Sequence, residues 1–108
     1  MTSARQDKMR QLLREIVATF FARESGLRSL ITITDVTISP DFKRATVFIT
    51  TLPTSEEDRA LEFAKRKRTD LRDYIASHAK LKTLPVFEVR LDEGERNRQK
   101  IDSLLNQG

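Results

Sequence analysis

Hydrophobic and polar positions alternate most clearly between Leu30 and Leu52, where two strand patterns flank a turn. Ile31 and Ile33 alternate with Thr32 and Thr34; beyond Pro40-Asp41, Ala45, Val47 and Ile49 alternate with Thr46, Phe48 and Thr50. Period-2 patterns on both sides of a bend predict a β-hairpin with one buried face. The first strand breaks its own rhythm. Its apolar positions move from odd (Ile31, Ile33) to even (Val36, Ile38) across Thr34-Asp35, so a regular strand would turn one pair toward water. A β-bulge at Thr34-Asp35 would return both pairs to the core.

Ahead of the hairpin, Met9, Leu12, Leu13, Ile16, Val17, Phe20 and Phe21 recur at three- and four-residue steps, which predicts a long amphipathic helix. Ser3 with Gln6 has capping-box spacing at its start, and Gly26 is placed to stop it. After the hairpin, Thr54 with Glu57 repeats that spacing, and Glu56, Glu57 and Asp58 suit the first turn of a second helix, where the macrodipole favours anions. This helix presents Ala60, Phe63 and Ala64. Thr69 is placed to cap a third helix, with Leu71, Tyr74, Ile75, His78 and Ala79 on one face. Pro85 marks the change to a third strand, in which Phe87, Val89 and Leu91 alternate with Glu88 and Arg90. Gly94 precedes a short final helix carrying Ile101, Leu104 and Leu105.

The order is α-β-β-α-α-β-α. It predicts an α+β fold of the type II KH-like kind with an added C-terminal helix: a three-stranded mixed sheet, helices packed on one face, and a third strand returned parallel to a hairpin strand by a right-handed crossover. At 108 residues the chain is expected to be one domain, 1–108. Its 38% apolar and 33% charged residues fit a soluble globular protein, no apolar run reaches the length of a membrane span, and the N-terminus lacks the apolar core of a signal peptide, so a cytoplasmic location is expected. Without cysteine there is no disulfide, thiolate metal site or cysteine nucleophile, and the single histidine, His78, gives no pair for a zinc site. No cofactor is expected.

Charge sharpens the picture. Twenty Lys and Arg against sixteen Asp and Glu leave +4, but from Lys65 to Lys82 seven basic residues face two acidic ones, a local surplus larger than that of the whole chain. Such a field suits a polyanion. Lys65, Arg66, Lys67 and Arg68, with Thr69 and Arg72, are the first candidates for RNA phosphates, because they adjoin the free N–H groups of a helix start. The competing reading is that they complement the C-terminal dipole of the second helix. Arg5, Lys8, Arg10 and Arg14 on the first helix are candidates to extend that surface, although such a row also suits a solvated face; Lys43 and Arg44 in the hairpin bend are weaker. Phe48 offers a stacking ring only if its face of the sheet is open. His78 reads as a partly buried packing residue, and Glu56, Glu57 and Asp58 as a helix start rather than a cation site.

The run from Leu30 to Thr50, the first-helix pattern, and the stretch from Leu71 to Leu105 together resemble the ribosome-binding factor A family over nearly the whole chain. The hairpin is the most specific part; Leu84-Pro85-Val86-Phe87-Glu88-Val89, leading to Ile101-Asp102-Ser103-Leu104-Leu105, is a weaker one. The resemblance implies a non-enzymatic, monomeric factor of bacterial type that binds the immature small ribosomal subunit through its 16S-type rRNA and assists late maturation, in a family linked to growth in the cold. Where KH domains carry Gly-x-x-Gly, and this family usually Ala-x-Gly, the chain reads Lys67-Arg68-Thr69. It also ends at Gly108 without the long polar tail of some members, so no tail function is carried over. Two other classes stand beside this one. A protein-interaction module would use an apolar groove or free sheet edge, whereas a small enzyme is disfavoured by the lack of a nucleophile, base and orienting group together.

Overall fold

The computed structural model describes residues 4–24, 30–52 and 54–105. In chain order the elements are α1 (Ala4–Glu24), β1 (Leu30–Ile38), β2 (Arg44–Leu52), a 3-10 turn (Thr54–Glu56), α2 (Glu57–Arg66), α3 (Arg68–His78), β3 (Val86–Leu91) and α4 (Glu93–Leu105). The sheet order is β1-β2-β3, with β1 antiparallel and β3 parallel to the central β2. This is the α+β, KH-like arrangement that the element order predicts.

The parity break in β1 is a bulge. Ile33 pairs with Ile49 and Asp35 with Phe48, leaving Thr34 as the extra residue. That one residue brings Ile31, Ile33 and Val36 all into the core beside Ala45, Val47 and Ile49 of β2. Thr34 is also used: its hydroxyl lies 2.6 Å from Asp92 Oδ2 and 3.2 Å from the Phe48 carbonyl.

Three helices, α1, α2 and α3, cover this face of the sheet. Leu13, Val17, Phe20 and Phe21 of α1, Ala60 and Ala64 of α2, and Leu71 and Ile75 of α3 form one core with Phe87 and Val89 of β3. The small side chains of α2 let its backbone approach the sheet, while α1 meets α3 through rings, with Phe20 5.4 Å from Tyr74.

The helix boundaries depart from the capping pattern. The 3-10 turn takes up Thr54, so α2 begins at Glu57 behind Glu56 at its N-cap, with no side-chain cap bond. Glu57 and Asp58 do fill its first turn. Thr69 likewise lies inside α3, whose N-cap position is Lys67. Gly94 lies within α4, and the residue that caps it is Asp92, whose Oδ1 accepts from the Glu95 N–H at 3.0 Å. α3 ends at His78, leaving Ala79 extended, and His78 is exposed rather than packed in the core, stacked on Tyr74 with 3.9 Å between centroids. Ser3 and Gly26 lie outside the described residues.

The hairpin turn is tightly bonded. The Phe42 N–H donates to the Ser39 carbonyl at 2.9 Å, and Asp41 Oδ1 accepts from the Ser39 hydroxyl at 2.5 Å and the Lys43 N–H at 3.0 Å. These contacts, the Ser39 hydroxyl foremost, hold the Asp41 carboxyl below its ordinary value. Phe42 occupies the left-handed region at φ 62°, at a cost of about 1–2 kcal/mol relative to glycine.

Candidate functional site

The α2–α3 junction is a kink of one residue. Lys67 has φ −90° and ψ 4°; its N–H donates to the Phe63 and Ala64 carbonyls, and its own carbonyl accepts from the Leu71 N–H at 2.8 Å. The negative φ explains why the turn needs no glycine. Lys67 is half-buried, with its Nζ 3.5 Å from Glu24 and 3.6 Å from Asp70, and 5.8 Å from the Phe63 ring centre. It ties the junction to the end of α1.

The other junction cations diverge, because successive residues point about 100° apart around a helix. Lys65 and Arg68 line a groove of 760 Å³ alongside β3, together with Leu61, Phe48 and Arg90. Arg68 Nε donates to the Lys65 carbonyl at 3.0 Å, which is the helix-end role that competes with phosphate binding, yet the side chain stays exposed. Arg66 lies on the outer side of α2 with Asp58, Arg59 and Glu62. Arg72 is exposed on α3, and Thr69 is exposed beside the kink. Among the described residues, Lys65, Arg66 and Arg72 form no ion pair, so their charge is directed to solvent.

Of the first-helix candidates, Arg5 lies at the end of α1 away from the kink. α1 runs from Arg5, at the hairpin end, to Glu24, at the kink, about 28 Å at 1.5 Å per residue. Lys8 and Arg14 are exposed, but Arg10 pairs with Asp35 at the bulge, Nη1 to Oδ1 3.6 Å. Lys80 and Lys82, part of the same basic stretch in sequence, sit at the hairpin end with Arg5 and Lys43. One cationic run thus becomes two separated surfaces.

Phe48 is half-buried in the groove, next to Asp92, Glu93 and Gly94 at the start of α4. Asp92 joins three elements there. Its Oδ2 accepts from Thr34 and its Oδ1 caps α4, and these bonds, Thr34's first, hold its carboxyl below the ordinary value. The spacing of Asp92 and Glu95 is a capping-box signal that could have found it. Arg90, paired with Glu88 at 2.9 Å, is the further groove cation that the basic stretch does not contain.

No group of three or more His, Asp or Glu side chains among the described residues could hold a metal ion. No described helix is long and apolar enough to cross a membrane.

Comparison with known proteins agrees with this fold. Residues 5–105 match the family model described as Ribosome-binding factor A. Ribosome-binding factor A from Methylobacterium sp. (strain 4-46) is 33% identical over 108 residues, 95% of this chain and 78% of that protein. The Thermodesulfovibrio yellowstonii protein of the same name is 31% identical over 105 residues, 95% of this chain and 89% of its own. In three dimensions, the crystal structure of ribosome-binding factor A from Thermus thermophilus superposes with a TM-score of 0.73 at 22% identity, over 80% of this chain and 93% of that one. A homology model of the Thermus thermophilus factor, fitted into the cryo-EM map of a 30S complex of that factor, gives 0.67 at 23% identity, over 75% and 88%. With the fold, the element order and a match from Arg5 to Leu105 in agreement, this chain belongs to the ribosome-binding factor A family.

Proposed function

We propose that this chain is a non-enzymatic assembly factor that binds the immature small ribosomal subunit through phosphates of its 16S-type rRNA and acts late in its maturation. It works in the cytoplasm as a monomer. The observation that carries this reading is the family match over nearly the whole described chain, residues 5–105. The Thermus relative fitted into a 30S complex supports the choice of subunit.

The chemistry is electrostatic. Lys65, Arg66, Arg68 and Arg72 present exposed charge around the start of α3, and each phosphate they neutralise releases condensed counterions. Phosphates carry no base identity, so the selectivity of this surface comes from the shape of the folded RNA. Lys67 and Arg10, held by carboxylates, position the helices instead.

Co-sedimentation of the full chain with purified small subunits, large subunits and complete ribosomes tests the reading. Retention on free small subunits that falls steeply with salt is expected; equal retention on large subunits or translating ribosomes would contradict it. A protein-interaction reading has one feature in its favour: β3 pairs only with β2 among the described strands, leaving its other edge beside the groove. A peptide added to that edge would bind with little salt dependence.

A further inference from the structure

The hairpin end of the molecule carries a second, compact cleft, built from three parts of the chain. The first turns of α1 give Arg5 and Met9, the hairpin turn gives Asp41, Phe42 and Lys43, and the segment between α3 and β3 gives Lys80, Leu81 and Lys82. Its volume is 370 Å³, within the usual size of small-molecule sites. Met9, Phe42 and Leu81 are half-buried and form its apolar part, while Arg5, Lys43, Lys80 and Lys82 are exposed. Asp41 opposes them in charge, but its Oδ1 is engaged by the Ser39 hydroxyl and the Lys43 N–H. Four cations around an apolar, aromatic surface are complementary to a ligand with a flat face and attached anionic groups.

Phe42 adds an independent reason. It holds φ 62°, a conformation that glycine takes without strain, and the turn around it is closed by bonds that do not involve its side chain. Backbone strain of this kind is commonly retained at functional sites. Here it fixes an aromatic ring at the cleft with the Arg5 guanidinium 5.8 Å from its centre. The Lys43 carbonyl further anchors the turn by accepting from the Val86 N–H at 2.9 Å, so the ring is pre-positioned on a rigid support.

We infer that this cleft takes an unpaired nucleotide of single-stranded RNA, its base against the Phe42 ring and its flanking phosphates on Lys43, Lys80 and Lys82. A base within a duplex has its faces covered by its neighbours, so only an unpaired one fits. The inference rests on the reading of the chain as an rRNA-binding factor and adds a site separate from the α2–α3 junction. The junction meets phosphates; the hairpin cleft detects an unpaired base.

The test uses the full chain with two probes, a short labelled single-stranded RNA of mixed sequence and a fully paired RNA duplex, followed by fluorescence anisotropy. Phe42→Gly removes the ring at a position where glycine fits the backbone, and Phe42→Asn, which also tolerates this region, serves if the glycine variant fails to fold. Loss of one base stack should weaken single-strand binding about tenfold or more, with duplex binding unchanged. Replacing Lys43, Lys80 and Lys82 by Gln should instead flatten the salt dependence of single-strand binding, by roughly 0.7 unit of slope for each phosphate that is no longer neutralised. Unchanged single-strand affinity in folded Phe42→Gly, or an equal loss for duplex, would overturn the inference. So would polyglutamate binding as tightly as the single strand with the same dependence on Phe42, which would assign the cleft to an acidic protein segment. If wild type binds the single strand through Phe42 but fails to sediment with small subunits, the ribosomal reading falls and the cleft stands.

Discussion

Asp92 joins the β1 bulge to the start of α4, and a double-mutant cycle measures that link. Thr34→Val keeps the shape of the side chain but removes a hydroxyl that is 2.6 Å from Asp92 Oδ2 and 3.2 Å from the Phe48 carbonyl. Asp92→Ala removes the same hydrogen bond and also the cap on the Glu95 N–H at 3.0 Å. A hydrogen bond to a charged group contributes about 1.5–3 kcal/mol, to be discounted here because the pair is only part-buried; an N-cap contributes about 1 kcal/mol. The expected losses are therefore about 1 kcal/mol for Thr34→Val and about 2 kcal/mol for Asp92→Ala. The double variant should lose about 2 kcal/mol rather than the sum, giving a coupling near 1 kcal/mol. In a thermal melt each kcal/mol should appear as a shift of roughly 4–8 °C for a chain of this size.

The link also has a pH signature. The Asp92 carboxyl titrates below its ordinary value because the folded state donates hydrogen bonds to the charged form, first from Thr34. Its contribution is complete above the unfolded carboxyl value of about 3.9 and is lost as pH falls through the lower folded value. Urea unfolding of the four proteins at pH 7 and pH 3 reads both effects. Strict additivity at pH 7, or a coupling no smaller at pH 3, would refute the reasoning.

Two further outcomes follow from the packing. Leu71 is fully buried on α3, so Leu71→Ala should cost about 2–5 kcal/mol in denaturant unfolding, the range for a cavity in a close-packed core; a loss under about 1 kcal/mol would mean that α3 is loosely docked. Lys67→Gln should lower stability by no more than about 1 kcal/mol, because its ion pairs are partly exposed, and should change the salt slope of small-subunit binding less than Lys65→Gln does; the opposite order would reverse the assignment of these two lysines.

Much of the fold was legible because one pattern carried it. The parity change between Ile33 and Val36 allows both pairs to be buried only with an extra residue, and Thr34 is that residue. The alternation of Phe87 and Val89 with Glu88 and Arg90 likewise became the buried and exposed faces of β3. Caps were less legible, since a side chain able to cap marks a helix start only if the chain leaves it outside the helix. Thr54 entered a 3-10 turn and Thr69 the helix itself, whereas Asp92 kept the geometry. The apolar residues of α4 identified the helix but not its surroundings: Ile101, Leu104 and Leu105 are 56%, 61% and 74% exposed.

The candidate site was legible as a charge excess, not as a surface. Neighbours in sequence diverge around a helix, and this separates Arg66 from Lys65 and turns Lys67 to Glu24. Lys80 and Lys82 lie beyond the end of α3, at the other end of the molecule, where they meet Arg5 and Lys43. Phe42 was the least visible member. Its importance lies in a backbone angle, although the Pro40-Asp41 turn before it is the kind that places the next hairpin residue in the left-handed region.

The most direct measurement is the salt dependence of binding to purified small subunits, for wild type and for the variant with Lys65, Arg66, Arg68 and Arg72 all replaced by Gln. These side chains are exposed, so the variant should keep its circular dichroism spectrum, with each change altering stability by no more than about 0.5 kcal/mol. The account predicts weaker binding at every salt concentration and a slope of log affinity against log salt reduced by roughly one unit for each phosphate that the variant leaves unneutralised. A folded variant with unchanged affinity and slope would contradict it.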